Sequence, residues 1–144
     1  MRRGSAGVLG AIMSDDFGKL IVRLSVSILL LFHGVHKLLT GIAPIKQMVV
    51  GHHLPEAVSY GVYLGEIAGP VLIILGLFSR LGGLLVVVNM VVAIYLVGMH
   101  RLAVLAPSGG YAPELEMFYL LGGLGVMLLG AGRYSVGGEN GPLN

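Results

Sequence analysis

Apolar residues dominate four stretches of this chain, residues 20–39, 58–78, 81–99 and 117–131, and the short segments between them gather proline, glycine and charge. Crossing about 30 Å of hydrocarbon takes roughly 20 helical residues, so each stretch is long enough, the last one with its flanking residues. None shows the apolar–polar alternation of a strand, and lipid admits only helices or closed barrels. The pattern predicts an all-α membrane protein: an antiparallel four-transmembrane-helix bundle with an interfacial loop between the first and second helices. Residues 1–18 form a cytoplasmic N-terminal segment in this reading, 19–134 a single transmembrane domain and 135–144 a flexible, glycine-rich tail.

The segments between the spans refine this outline. Residues 40–56 hold two prolines, two glycines and His52-His53, yet also Ile42, Ile45, Met48, Val49 and Val50, which suits a loop lying on the membrane interface. Ser79-Arg80 reads as a tight turn between the second and third helices, and residues 106–113 as the second external loop. Pro55-Glu56 and Pro113-Glu114 each precede an apolar run ending in Gly-x-x-x-Arg80 or Gly-x-x-Arg133, a faint echo of duplicated helix pairs that chance explains equally well.

Composition supports a membrane location: 56% of residues are hydrophobic and 11% charged, and mean hydropathy is +0.90, whereas soluble domains carry about 25% charged residues. There is no cysteine, which excludes disulfides, thiolate metal sites and a thiol relay within the chain. The net charge is +2, but the basic residues are scattered at helix ends, so they indicate topology rather than nucleic acid. Arg2, Arg3, Lys19, Arg23, Arg80 and Arg133 fall on one side and Lys37, Lys46 and Arg101 on the other, placing both termini in the cytoplasm. Residues 1–13 resemble a signal peptide only superficially, being short and broken by Gly7 and Gly10, and Met13 is a candidate start.

Within the spans a few residues are out of place. Glu66 lies inside the second apolar run, where a charge costs about 2.5–3.5 kcal/mol on insertion scales and needs a partner or a role. On the first helix Arg23, Ser27, Leu30, Gly34, Lys37 and Gly41 recur at spacings of four and three and so share an inward face. On the second, Glu66, Gly69, Ile73, Gly76 and Arg80 share one, beside the small-xxx-small run Gly61, Gly65, Gly69. Gly82, Asn89, Ala93 and His100 align on the third helix, and Glu116, Gly123, Met127 and Gly130 on the fourth.

At about 1.5 Å per residue, Lys37 lies near the external surface, His33 about 9 Å in and Glu66 roughly 12 Å in from Ala57, all within the outer half of the bilayer. One cluster of Lys37, His33 or His36, Glu66, His100 and Glu116 is therefore expected, with Lys37 as the direct partner of Glu66 and Arg23 and Arg80 at the opposite end. A Lys37–Glu66 pair serves equally as a bolt that fixes helix register. His33 and His36 suit hydrogen bonding better than metal, and Arg80 suits an interfacial, snorkelling anchor. Haem held by His33 or His36 with His100 is disfavoured, because His100 ends its helix near the interface. No P-loop, dinucleotide fingerprint, metalloprotease motif or nucleophile elbow is present, and Gly122-Gly123-x-Gly125 lies in an apolar helix.

Taken together, Arg23 with Phe32-His33-Gly34-x-x-Lys37, Glu66-x-x-Gly69 through Gly76-Leu77-x-x-Arg80, and Gly130-x-Gly132-Arg133-Tyr134-Ser135 resemble the DoxX family over residues 20–135. The resemblance implies a small, multi-pass bacterial inner-membrane protein. It also implies a link to redox stress or quinone chemistry, since the family shares its name with a subunit of a thiosulfate:quinone oxidoreductase. His100 and Glu116 match family positions, with Glu114 competing for the latter. The chain departs from the family at Ala103-Val104-Leu105-Ala106, where an aromatic stretch is common, and at Val136-Gly137-Gly138, where an acidic residue often stands.

Three functions follow as expectations. The first is a redox-linked membrane subunit, as of an oxidoreductase, with no intrinsic cofactor and an outer-half pocket for a quinone-like molecule. There Lys37, His33 and His100 donate hydrogen bonds, Glu66 or Glu116 handles a proton, and His36, Asn89 and Arg23 complete the site. The others are a scaffold that recruits partner redox proteins and a small-solute transporter hinted at by Pro70. Self-association is compatible with all three.

Overall fold

A computed structural model describes Gly10 and residues 15–144. The expectations for the first residues, among them Arg2, Arg3 and the Met13 start, lie outside the described residues. Five helices organise the rest: α1 Asp15–Thr40, α2 Ala43–Gly51, α3 Glu56–Leu75, α4 Ser79–Val97 and α5 Glu114–Leu129. There is no strand among the described residues, only an isolated bridge between Leu105 and Tyr111. Helices α1, α3 and α4 are long and apolar enough to cross a membrane, whereas α5 has 16 residues. Phe32, Leu39, Leu121 and Leu128 stand exposed on the outside of the packed helices, a surface suited to lipid.

Boundaries shift from the sequence expectation where backbone chemistry intervenes. Helix α1 begins at Asp15, so residues 15–18 form its first turn, with Asp15 and Asp16 at the positive end of the helix dipole. Helix α3 stops at Leu75 rather than Phe78, because Gly76 turns left-handed (φ +68°) and Leu77 N–H reaches back to the Leu72 carbonyl at 3.0 Å. Ser79 and Arg80, expected to be the turn, open α4 instead. Helix α4 ends at Gly98 (φ +121°), which places His100 in the separate 3-10 turn Met99–Ala103 rather than on the helical stripe.

Residues 40–56, expected to be a loop, contain helix α2, with proline in its first turn as helices tolerate best. Ile42 and Val49 are buried beneath it. Lys46 ties α2 to the start of α3, donating to Glu56 (2.8 Å) and to the Tyr60 hydroxyl (2.8 Å). Those bonds, Glu56 first, hold the Lys46 amine above its ordinary pKa.

The core is Val26, Leu30, Ile73, Val86, Met90, Tyr119 and Val126. Close approach of backbones builds it. A Cβ on Gly82 would come within 2.8 Å of the Gly69 carbonyl, and one on Gly83 within 2.7 Å of the Gly123 carbonyl, so glycine lets α4 lie against both α3 and α5.

Arg23 organises the end of the molecule away from Lys37. It is 1% exposed, and its guanidinium donates to the carbonyls of Ile73 (3.1 and 3.0 Å), Ile74 (3.2 Å), Ala131 (2.6 Å) and Tyr134 (3.0 Å). All five donors of the fork are thereby used. They fall on the last turn of α3 and the segment after α5, where helix-end carbonyls lack intrahelical partners and carry negative dipole charge. Arg80, expected to snorkel as an interfacial anchor, instead donates to Met127 and Leu128 at the end of α5, both at 2.9 Å.

Residues 135–144, expected to be a flexible tail, fold back onto this end. Val136 N–H bonds Leu75 O (2.9 Å), Gly137 N–H bonds Gly76 O (3.1 Å), and the Asn144 side chain accepts from Ser79 N–H (3.1 Å) and donates to Gly76 O (2.8 Å). Replacing Arg23 with Met would strand several buried carbonyls at about 1–3 kcal/mol each. The variant is expected to lose at least about 3 kcal/mol in SDS unfolding from detergent micelles; a loss below about 1 kcal/mol would show that the knot is not structural.

Candidate functional site

Pro70 sets the geometry of α3 around Glu66. Proline has no N–H, so the Glu66 carbonyl four residues earlier loses its α-helical donor. The helix widens into a π-turn over Leu64–Ala68, in which Gly69 N–H bonds Leu64 O. Gly34 of α1 packs onto that same Glu66 carbonyl, where any Cβ would clash. This contact sets the depth of α1 against α3 and brings Lys37, almost one turn farther along α1, to the Glu66 carboxylate.

Lys37 Nζ donates to both oxygens of Glu66. The carboxylate side chain is 7% exposed and the lysine 25%. Asn89 Nδ2, from α4, approaches Glu66 Oε1 at 3.5 Å, the outer limit of a hydrogen bond. Gly65 makes this possible, since a Cβ there would overlap the Asn89 side chain. Tyr63 adds a bond from its hydroxyl to the Lys37 carbonyl (3.3 Å).

Beside the Lys37–Glu66–Asn89 group opens a slot of about 410 Å³ between α3 and α4. Its walls are apolar side chains such as Val62, Leu85, Val88 and Val92, and Ile45, Met48 and Val49 of α2 roof it. Gly61, expected to pack against another helix, has nothing within 4 Å of where its Cβ would stand and borders the slot. A second tie holds the roof: His52 Nε2 lies 3.1 Å from the Leu96 carbonyl at the end of α4, with its ring 5.0 Å from that of Tyr95. An apolar slot with a few convergent polar groups is the usual form of a small-molecule site.

The other residues expected in this cluster lie elsewhere. His33 is exposed and meets Tyr119 edge-on at 5.9 Å, and His36 is exposed. His100 is exposed beyond Gly98 with its ring folded back over that glycine. Glu116 faces Arg101 at 3.5 Å, and Arg23 belongs to the knot at the far end. Helical spacing misplaced His100 because it assumed that α4 runs unbroken through residue 98; His33 and His36 lie off the buried stripe of α1 that carries Arg23, Ser27, Leu30 and Gly34. The helical roof of the slot is what the loop reading of residues 40–56 lacks, although Pro44 followed by Ile45, Met48 and Val49 carries the signal of an amphipathic turn.

A family model described as DoxX matches residues 18–99, the part of the chain that runs from α1 to the end of α4 and contains Lys37, Glu66, Asn89 and the slot. No curated protein and no solved structure gives a match.

Lys37→Met would leave Glu66 buried without its cation. Breaking a buried pair costs about 3–5 kcal/mol, and the partial exposure of Lys37 puts the expected loss near the lower end. Adding Glu66→Met should restore most of it, as a double-mutant cycle in SDS unfolding would register; independent, additive losses would show that the two side chains do not interact.

Proposed function

The chain belongs to the DoxX family and is an integral membrane protein, and from that premise we propose that it binds a quinone-like small molecule in the slot beside Lys37, Glu66 and Asn89. In this reading all four long helices cross a bacterial inner membrane as an antiparallel bundle, with both termini cytoplasmic, the Lys37 end outward and α2 on the outer interface.

The observation that carries the proposal is the coincidence of an apolar slot with convergent donors. Lys37 Nζ and Asn89 Nδ2 are the donors for a ligand carbonyl, and Glu66 is the group within reach for a proton. A quinone reduced to the quinol here takes two electrons and two protons beside an apolar ring; with no cysteine the chain has no thiol to supply the electrons, and in this reading a separate redox partner supplies both electrons. Such a partner docks from outside the bundle. The π-turn at Leu64–Ala68 favours a second reading, a small-solute transporter with an interrupted helix, and solute flux into liposomes distinguishes the two.

Two variants test the slot while leaving Lys37 and Glu66 in place. Gly61→Leu places a side chain where there is open space, so it should leave unfolding unchanged while reducing binding of a short-chain benzoquinone in nanodiscs by at least roughly tenfold. Asn89→Leu should weaken it about tenfold by removing one donor. Benzoquinone binding equal to wild type in both variants would rule out this slot as the site.

A further inference from the structure

Resting on the slot being a ligand site, we infer that it selects uncharged ligands and is filled sideways from the lipid phase rather than from water. The first half of the inference is a charge balance. Lys37 and Glu66 are the charged residues lining the slot, and wherever the proton sits between them, the pair sums to zero. Asn89 adds a dipole and no charge. An anionic or cationic head group entering here would leave water and find no counter-charge, whereas a ketone or quinone oxygen finds donors already in place.

The second half is the position of the opening. The water-facing side is roofed by α2, which presents Met48 and Val49 to the slot and is held at two points, by Lys46 on Glu56 and Tyr60 and by His52 on the Leu96 carbonyl. The lateral side is different. Leu64 of α3 and Val88 of α4 both line the slot, yet they are 56% and 52% exposed on the outside of the packed helices, the surface that this reading turns to hydrocarbon. A lipid-dissolved molecule therefore reaches the polar group without passing the roof.

The test uses the full chain in nanodiscs and three probes that share one alkyl chain and end in a methyl ketone, a carboxylate or a primary amine, each competing with a short-chain benzoquinone. In the wild type the ketone should displace the quinone at least about tenfold more effectively than either charged probe. Glu66→Gln leaves Lys37 uncompensated and should gain affinity for the carboxylate; Asn89→Asp, which keeps the Lys37–Glu66 pair, should gain affinity for the amine. Joining Lys46→Cys to Glu56→Cys with a short thiol cross-linker, at two positions whose native side chains meet at 2.8 Å outside the slot, fastens the roof and should leave quinone entry unchanged. Charged probes that compete as well as the ketone, variants that shift no preference, or a fastened roof that blocks entry would overturn the inference while quinone binding stands. Absence of quinone and probe binding in the wild type would overturn the ligand-site reading, and this inference with it.

Discussion

A carboxylate inside hydrocarbon must be compensated within hydrogen-bond reach, and that constraint fixes how α1, α3 and α4 meet. Placing a charge at mid-helix costs about 2.5–3.5 kcal/mol on insertion scales. Glu66 is buried at that cost only because Lys37 reaches both of its oxygens. The reach depends on Gly34, which lets α1 lie directly on the Glu66 carbonyl, and on Pro70, which removes the donor that would otherwise occupy that carbonyl. Asn89 joins only because Gly65 carries no side chain. Four residues with no charge of their own thus determine where one pair of charges sits.

The opposite end of the molecule solves the same problem differently. Arg23 has no carboxylate partner among the described residues; its charge is met by the carbonyls that end α3 and follow α5. With all five donors used, it has nothing left for a ligand, so it is structural. The Lys37–Glu66 pair differs in having open volume beside it. That contrast, a saturated charge against one that borders a cavity, separates scaffold from candidate site.

Much of this was legible in the sequence, and the exceptions have physical causes. The apolar runs located α1, α3, α4 and α5, and the four–three stripe Arg23, Ser27, Leu30, Gly34 is the buried face of α1. Spacing and depth together named Lys37 as the partner of Glu66. Periodicity failed where the helix does not continue: at Gly98, which removed His100 from the expected cluster, and at Gly76, which moved the turn ahead of Ser79. It also failed for the segment after Ser135, because glycine-rich composition says nothing of the long-range bonds from Val136, Gly137 and Asn144 that tie it down. The role of α2 as a roof was hidden by Pro44 and Pro55, which make residues 40–56 read as a loop.

The central claim is that the Lys37–Glu66 pair serves a ligand slot and does not merely fix the register of two helices. An experimental structure of the protein extracted in its native lipid tests this most directly, by the density between α3 and α4. The expected result is an elongated, uncharged molecule in the slot, with an oxygen at hydrogen-bond distance from Lys37 or Asn89. A slot closed by Leu64, Val88 and Met48 packing against one another, with no room beside Glu66, would contradict the claim and leave the pair as a bolt between helices.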